Sequence, residues 1–224
     1  LEFVVLIVLV AVLAFAFVLW WFSSEQVAKR KLKKAVAVPI AEAVEGSLVK
    51  ITGQLALADT EALAGPLTGR ACAGYTVEVQ ERRRSGKSSH WHTVISTQDT
   101  VSFVVEDETG KALVKPHGAT LVLVRDAHLS SGFLNDASQR IEEFLASHGR
   151  SSEGFLGMNK AMRYKEGVLE PGEEVAVLGL AKWEMDPDPT ASEGYRGRAK
   201  RLVVDMSDEG TLIVSDDQAT LGSG

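Results

Sequence analysis

The chain has 224 residues, 24 Lys plus Arg against 30 Asp plus Glu, a formal net charge of −6 and a single cysteine. An acidic chain is a poor partner for a nucleic-acid backbone, so no nucleic acid is expected. One cysteine excludes an intramolecular disulfide and any thiolate-rich zinc site.

The apolar residues are unevenly placed, with a dense block at the start. From Phe3 to Phe22 no charged or polar side chain occurs. At about 1.5 Å per helical residue this run is about 30 Å long, the thickness of a bilayer's hydrocarbon core. Residues 1–23 are therefore expected to be a transmembrane anchor, with the lipid bilayer as partner. A cleavable signal peptide is the alternative, but its apolar region spans about 7–15 residues and ends at small residues. Ser23-Ser24-Glu25-Gln26 offers no convincing cleavage site. Trp20, Trp21 and Phe22 close the run where rings favour the headgroup layer, and Lys29, Arg30, Lys31, Lys33 and Lys34 follow. This end should face the cytoplasm, at the inner membrane if the source is bacterial, which makes the chain a single-pass membrane protein. The basic cluster could also bind anionic lipid, although its role as a topology signal suffices.

Residues 24–45 read as a basic juxtamembrane helix and linker, with Val27, Leu32, Val36 and Ile40 at roughly helical spacing and Pro39 ending or kinking it. From 46 to 216 the texture changes to short β-branched runs punctuated by Gly, Pro and Asp. Strands are expected at 47–57, 70–82, 90–97, 102–107, 111–116, 120–125, 174–183, 199–205 and 211–215. Asp107-Glu108-Thr109-Gly110 joins two of them as a hairpin turn, and residues 83–89 form a polar loop between two longer ones. Between Asp136 and His148, Ile141, Phe144 and Leu145 share one helical face, with Asp136 as N-cap and Gly149 past the end. The tail 217–224 is small and polar, and reads as disordered or cut short. The fold class is mainly β (α+β): an OB-like, partly closed antiparallel barrel with one packed helix, a sandwich being the alternative.

Few residues suggest chemistry. Cys72 follows a turn and reads first as a small buried hydrophobe; a nucleophile would need a base, for which His90 or His92 on the next strand is the only attractive candidate. His90-Trp91-His92 places two imidazoles on one strand face, a spacing that can ligate metal, but no third ligand is evident. Solvated histidines beside a core Trp are the simpler reading, so no metal and no cofactor is expected. Arg82-Arg83-Arg84 with Lys87 could attract an anion, yet the phosphate-cradling glycine pattern is absent, and a solvated loop tip is expected.

Taken in order, Pro66-Leu67-Thr68-Gly69, Cys72, Trp91, Phe103, Asp107 with Thr109-Gly110, Val114 with Pro116, and Leu169-Glu170-Pro171-Gly172-Glu173 before Val177 and Gly179 resemble the GIDE domain. This domain, also called BAM or beside-a-membrane, occurs in membrane ubiquitin ligases of the GIDE/MULAN type and in prokaryotic relatives. The resemblance spans roughly residues 46–182. It implies a module that recognises a protein or peptide at the membrane, with Pro66, Leu67, Thr68, Gly69, Cys72, Trp91, Asp107 and Gly110 as its motif, while a separate zinc-bound RING recruits the conjugating enzyme. A RING needs about seven or eight Cys and His ligands, and this chain has one Cys. The expectation is a membrane-anchored binding module, non-catalytic in this chain. The alternatives are a Cys72-dependent enzyme and a truncated component of a RING-type ubiquitin ligase.

Overall fold

Apolar residues recur at every second position along much of the chain, and the folded protein is accordingly built from strands. The computed structural model describes residues 25–86, 88–130, 137–151, 161–186 and 200–222. In chain order the strands are β1 (Leu48–Leu57), β2 (Leu63–Ala64), β3 (Ala71–Cys72), β4 (Gly74–Ser85), β5 (Ser88–Thr100), β6 (Phe103–Asp107), β7 (Gly110–Val114), β8 (Thr120–Val122), β9 (Ala127–Ser130), β10 (Met162–Leu169), β11 (Glu174–Met185), β12 (Lys200–Asp205) and β13 (Ile213–Ser215). The helices described are α1 over residues 25–34, α2 (Ala137–Ser147) and α3 (Gln218–Leu221).

β1, β6, β7, β12 and β11 pair in that order and β1 pairs again with β11, so five strands form a partly closed barrel. β1 changes partner at Gln54, which stands opposite both Glu174 of β11 and Glu106 of β6. Gly53 lies beside this switch, and a Cβ there would sit 2.8 Å from the carbonyl carbon of Glu106. The close crossing therefore depends on glycine. Alternate residues fill the interior, among them Val49, Ile51, Leu55, Phe103, Val105, Val177 and Val204. β11 is covered on its outer side too, where Ala28 and Leu32 of α1 pack with Val122, Ala176, Leu178 and Ile213. Burial on both faces accounts for the unbroken apolar run from Val175 to Leu180.

A second, lateral sheet has the order β5-β4-β10-β9. Ile141 and Leu145 of α2, together with Leu67, cover Val77, Val79, Ile95, Met162 and Tyr164 on one of its faces.

The molecule is mainly β with a partly closed barrel and few helices, but it departs from the sequence reading in several places. The barrel is not wholly antiparallel, because β7 pairs parallel with β12, and outside it β8 pairs parallel with β13. The expected polar loop at 83–89 is mostly strand, since β4 and β5 pair as far as Ser85 and Ser88. Of the expected juxtamembrane face, Leu32 and Ile40 are buried while Val27 and Val36 are exposed; Ala28 and Leu32, one helical turn apart, make the contact instead. α1 ends at residue 34, and Ile40–Glu42 form a 3-10 turn after Pro39. Within the described part of the tail Asp217 caps α3 by accepting from Ala219 N, Thr220 Oγ1 donates to Ser215 Oγ at 3.0 Å, and buried Lys50 Nζ donates to Gly222 O at 3.0 Å. The N-cap Asp136 and the apolar run Phe3–Phe22 lie outside the described residues. Among the described residues no helix is long and apolar enough to cross a membrane.

Asp107 ties the linker to the barrel. Its Oδ1 accepts from Thr109 N at 2.7 Å, Thr109 Oγ1 at 2.7 Å and Gly110 N at 2.8 Å, while Oδ2 accepts from Ile40 N at 2.9 Å. Burial alone would raise its pKa, but these bonds outweigh burial and hold it below the ordinary carboxylate range. Because the folded value is depressed, the stabilisation is present above the unfolded pKa and is lost as pH falls through the folded one. Asp107→Ala is expected to cost roughly 2 kcal/mol at pH 7, with the gap from the parent closing in strong acid. Denaturation at both pH values checks this, and a gap that persists in acid would contradict it.

Candidate functional site

β2 and β3 form a two-rung hairpin in which Leu63 faces Cys72, and Gly65 to Arg70 make the loop between them. Gly65 N donates to Arg70 O at 2.8 Å and Gly69 N to Gly65 O at 2.7 Å; Gly69 adopts φ +74°, a left-handed conformation that glycine takes without strain. Three of the loop's other donors converge on one carboxylate. Glu166 of β10 is 0 % exposed and accepts from Leu67 N at 2.7 Å, from Thr68 N at 3.1 Å and from the Thr68 hydroxyl. A buried carboxylate of this kind is tolerated because its oxygens are satisfied by N–H and O–H donors. Leu67, 2 % exposed, drives the loop into the cluster beneath α2.

Arg70 closes the loop from outside. Its Nη1 and Nη2 meet the two Asp126 oxygens at 2.7 and 2.9 Å, and Nη1 also reaches Glu170 Oε2 at 2.9 Å. Asp126 is held below its ordinary pKa chiefly by the Arg70 hydrogen bond. Pro66, Leu67, Thr68, Gly69 and Cys72 are thus gathered into one clasp between the barrel and the lateral sheet, with its polar groups engaged internally.

Cys72 is 0 % exposed, and burial pushes its thiol up to about 11, with Glu166 and Glu170 adding to the rise. His90 and His92 stand elsewhere: they pair with Arg83 and Glu81, whereas the Cys72 end of the hairpin begins at Gly74 opposite Thr100. Seven residues separate Gly74 from Glu81, roughly 20–25 Å along the strand. The structure therefore does not bring Cys72 and these histidines together. With a thiol pushed that high, the thiolate fraction at neutral pH is well under about 0.1 %. Alkylation of the native chain at pH 7.5 is expected to be slow and to complete only on denaturation; a native rate equal to that of a free thiol would rule this out. His90 and His92 are exposed on one side of β5, and among the described residues no group of three His, Cys, Asp or Glu is placed to hold a metal.

Trp91 is not a core residue. It is half-buried on the face of the lateral sheet opposite α2, where the Arg163 guanidinium lies 3.9 Å from its ring centroid. Asp107 and Gly110 sit at the junction of linker and barrel. Glu166, Arg70 and Arg163 are the residues that sequence reasoning missed. A charged residue interrupting an apolar alternation was the available signal for Glu166.

These features define a mainly-β protein in which a partly closed five-stranded barrel carries a lateral sheet, to which a buried carboxylate clasps the Pro66–Gly69 loop. The GIDE family model, described as E3 ubiquitin ligase, matches residues 75–213, more than half of the chain. The chain belongs to that family. The match takes in Trp91, Asp107 and Gly110 and begins just after the clasp loop and Cys72. No curated protein and no solved structure matches the chain significantly.

Proposed function

We infer that the chain is a membrane-anchored recognition module of the GIDE family, binding a protein or peptide at the bilayer surface and performing no chemistry itself. The observation that carries the reading is the free edge of the lateral sheet. β5 is 13 residues long and pairs with β4, and with no other strand among the described residues. Such an edge presents backbone donors and acceptors that an extended peptide can complete as an added strand. At its C-terminal end Gln98 Nε2 donates to Ala119 O at 2.8 Å and Thr100 Oγ1 to Pro116 O at 3.4 Å, and in its middle the His92 ring lies on Thr93 O at 2.7 Å. The barrel is of the OB-like kind, a scaffold suited to binding.

Anchoring rests on the apolar run Phe3–Phe22, and the cations from Lys29 to Lys34 favour a cytoplasmic domain. Against the Cys72-enzyme reading, the thiol is fully buried and His90 and His92 stand far from it along β5. A photo-crosslinking residue at His90, in the full chain in native membranes, should trap a discrete protein that a peptide copied from the trapped segment displaces. A folded, embedded chain giving no adduct would defeat the binding reading, and alkaline extraction of the full chain from the membrane would defeat anchoring.

A further inference from the structure

The face of the lateral sheet that α2 leaves bare is fixed by register. Paired residues share a face, so Glu78, Arg82 and Arg84 of β4, Trp91 of β5, and Arg163 and Lys165 of β10 lie on one side. At its inner end the Leu123–Val124 backbone closes over Gly167. Outward from Glu78 the face opens: Arg82, Arg84 and Arg163 are exposed and have no carboxylate partner among the described residues. Arg82 is held on the face by Ser89 Oγ, at 3.0 Å from Nε and 2.9 Å from Nη2, and Arg163 by its stack on Trp91. This is a basic, aromatic face on a chain of net charge −6.

The same face meets the start of α1. Arg125 Nη2 lies 3.4 Å from Glu25 Oε2, and Nη1 lies 3.0 Å from Glu78 Oε2, the oxygen that Lys165 Nζ approaches at 3.6 Å. Both carboxylates are therefore countered by cations. Glu25 follows Phe22 by three residues, so at most about 11 Å of extended chain separates Glu25, which Arg125 links to this face, from the end of the apolar run. α1 is held in place, with Leu32 0 % exposed and Lys29 paired to Asp217. From Glu78 to Arg84 the face extends about 20 Å along β4.

We propose that this bare face, through Arg82, Arg84, Arg163 and Trp91, docks onto anionic lipid headgroups of the bilayer that holds the N-terminal apolar run. The proposal rests on the anchoring reading. Guanidinium groups pair with phosphate and carboxylate oxygens as planar forks, and an indole ring favours the headgroup layer. A lipid surface is favoured over a separate acidic polypeptide because the chain's own path, through Glu25, brings it to the face without a second encounter.

The test uses the full chain in lipid nanodiscs, of phosphatidylcholine alone or with about one third phosphatidylserine, read by amide hydrogen exchange over residues 82–84 and 88–93. Exchange should slow at least about fivefold on the anionic discs. High salt should reverse the slowing, as should the triple variant Arg82→Gln, Arg84→Gln, Arg163→Gln, whose barrel amides should exchange as in the parent. Equal exchange on both lipids, with the chain resistant to alkaline extraction, overturns the proposal and leaves anchoring standing. A chain that alkaline treatment strips from the discs overturns both. Slowing by soluble polyglutamate, with none from anionic lipid, would overturn it in favour of an acidic polypeptide partner.

Discussion

Glu166→Ala is expected to lower the thermal unfolding midpoint by about 10 °C and to make Cys72 accessible to alkylation in the native chain. The side chain is the common acceptor for two backbone N–H groups and one hydroxyl in the Pro66–Gly69 loop. Alanine leaves those donors without an acceptor in a water-poor site, at a cost of about 3–5 kcal/mol. The clasp hairpin then loses its attachment to β10, and Leu63 is the strand partner standing over Cys72. Glu166→Gln keeps one carbonyl oxygen but points an amide at the loop's donors, so it should fall between the two. Calorimetry together with thiol labelling decides the matter: an alanine variant with parental stability and a protected thiol would show that the loop holds itself without Glu166.

Gly53→Val is expected to be the most damaging single change in the barrel, costing about 3 kcal/mol or more. The added atoms would enter the backbone of Glu106 rather than the tip of a flexible side chain, and Val105 Cγ1 stands close behind, 3.1 Å from a Cβ. Relief requires β1 and β6 to separate at Gln54, where the ring of strands depends on their pairing. Gly110→Ala is the control, since a Cβ there meets nothing nearer than Ile40 Cγ2 at 3.4 Å and the backbone N–H to Asp107 is retained. Urea midpoints should drop steeply for the first and by under about 1 kcal/mol for the second. Comparable losses would locate the constraint elsewhere.

Barrel strands such as β1 and β6 were legible because their alternating apolar residues face a single core. Val49, Ile51 and Leu55, or Phe103 and Val105, announce themselves by period two. β10 was not legible for a related reason. Met162 and Tyr164 alternate with Arg163 and Lys165, but the next inward position is Glu166, so a strand central to the lateral sheet reads as a polar segment. The partner that makes a carboxylate acceptable there lies about a hundred residues upstream, beyond any local pattern. Trp91 misled in the opposite sense: an aromatic between two histidines suggests core, whereas the β4–β5 register turns it to the face that α2 leaves open. Of the family motif, the clasp loop could be read as a turn, but its dependence on β10 could not. The closure of β1 on β11, like the parallel pairings, joins segments far apart in sequence, and periodicity carries no information about such neighbours.

The docking of α1 against β8, β11 and β13 has a mechanical consequence. With Leu32 inserted and Lys29 and Lys31 bonded to Asp217 and Thr211, the helix and the barrel move as one body. α1 therefore acts on the barrel as a lever and not as a loose cord. A twist or tilt imposed at the Glu25 end of α1 is delivered to β8, β11 and β13, the strands its apolar side chains grip.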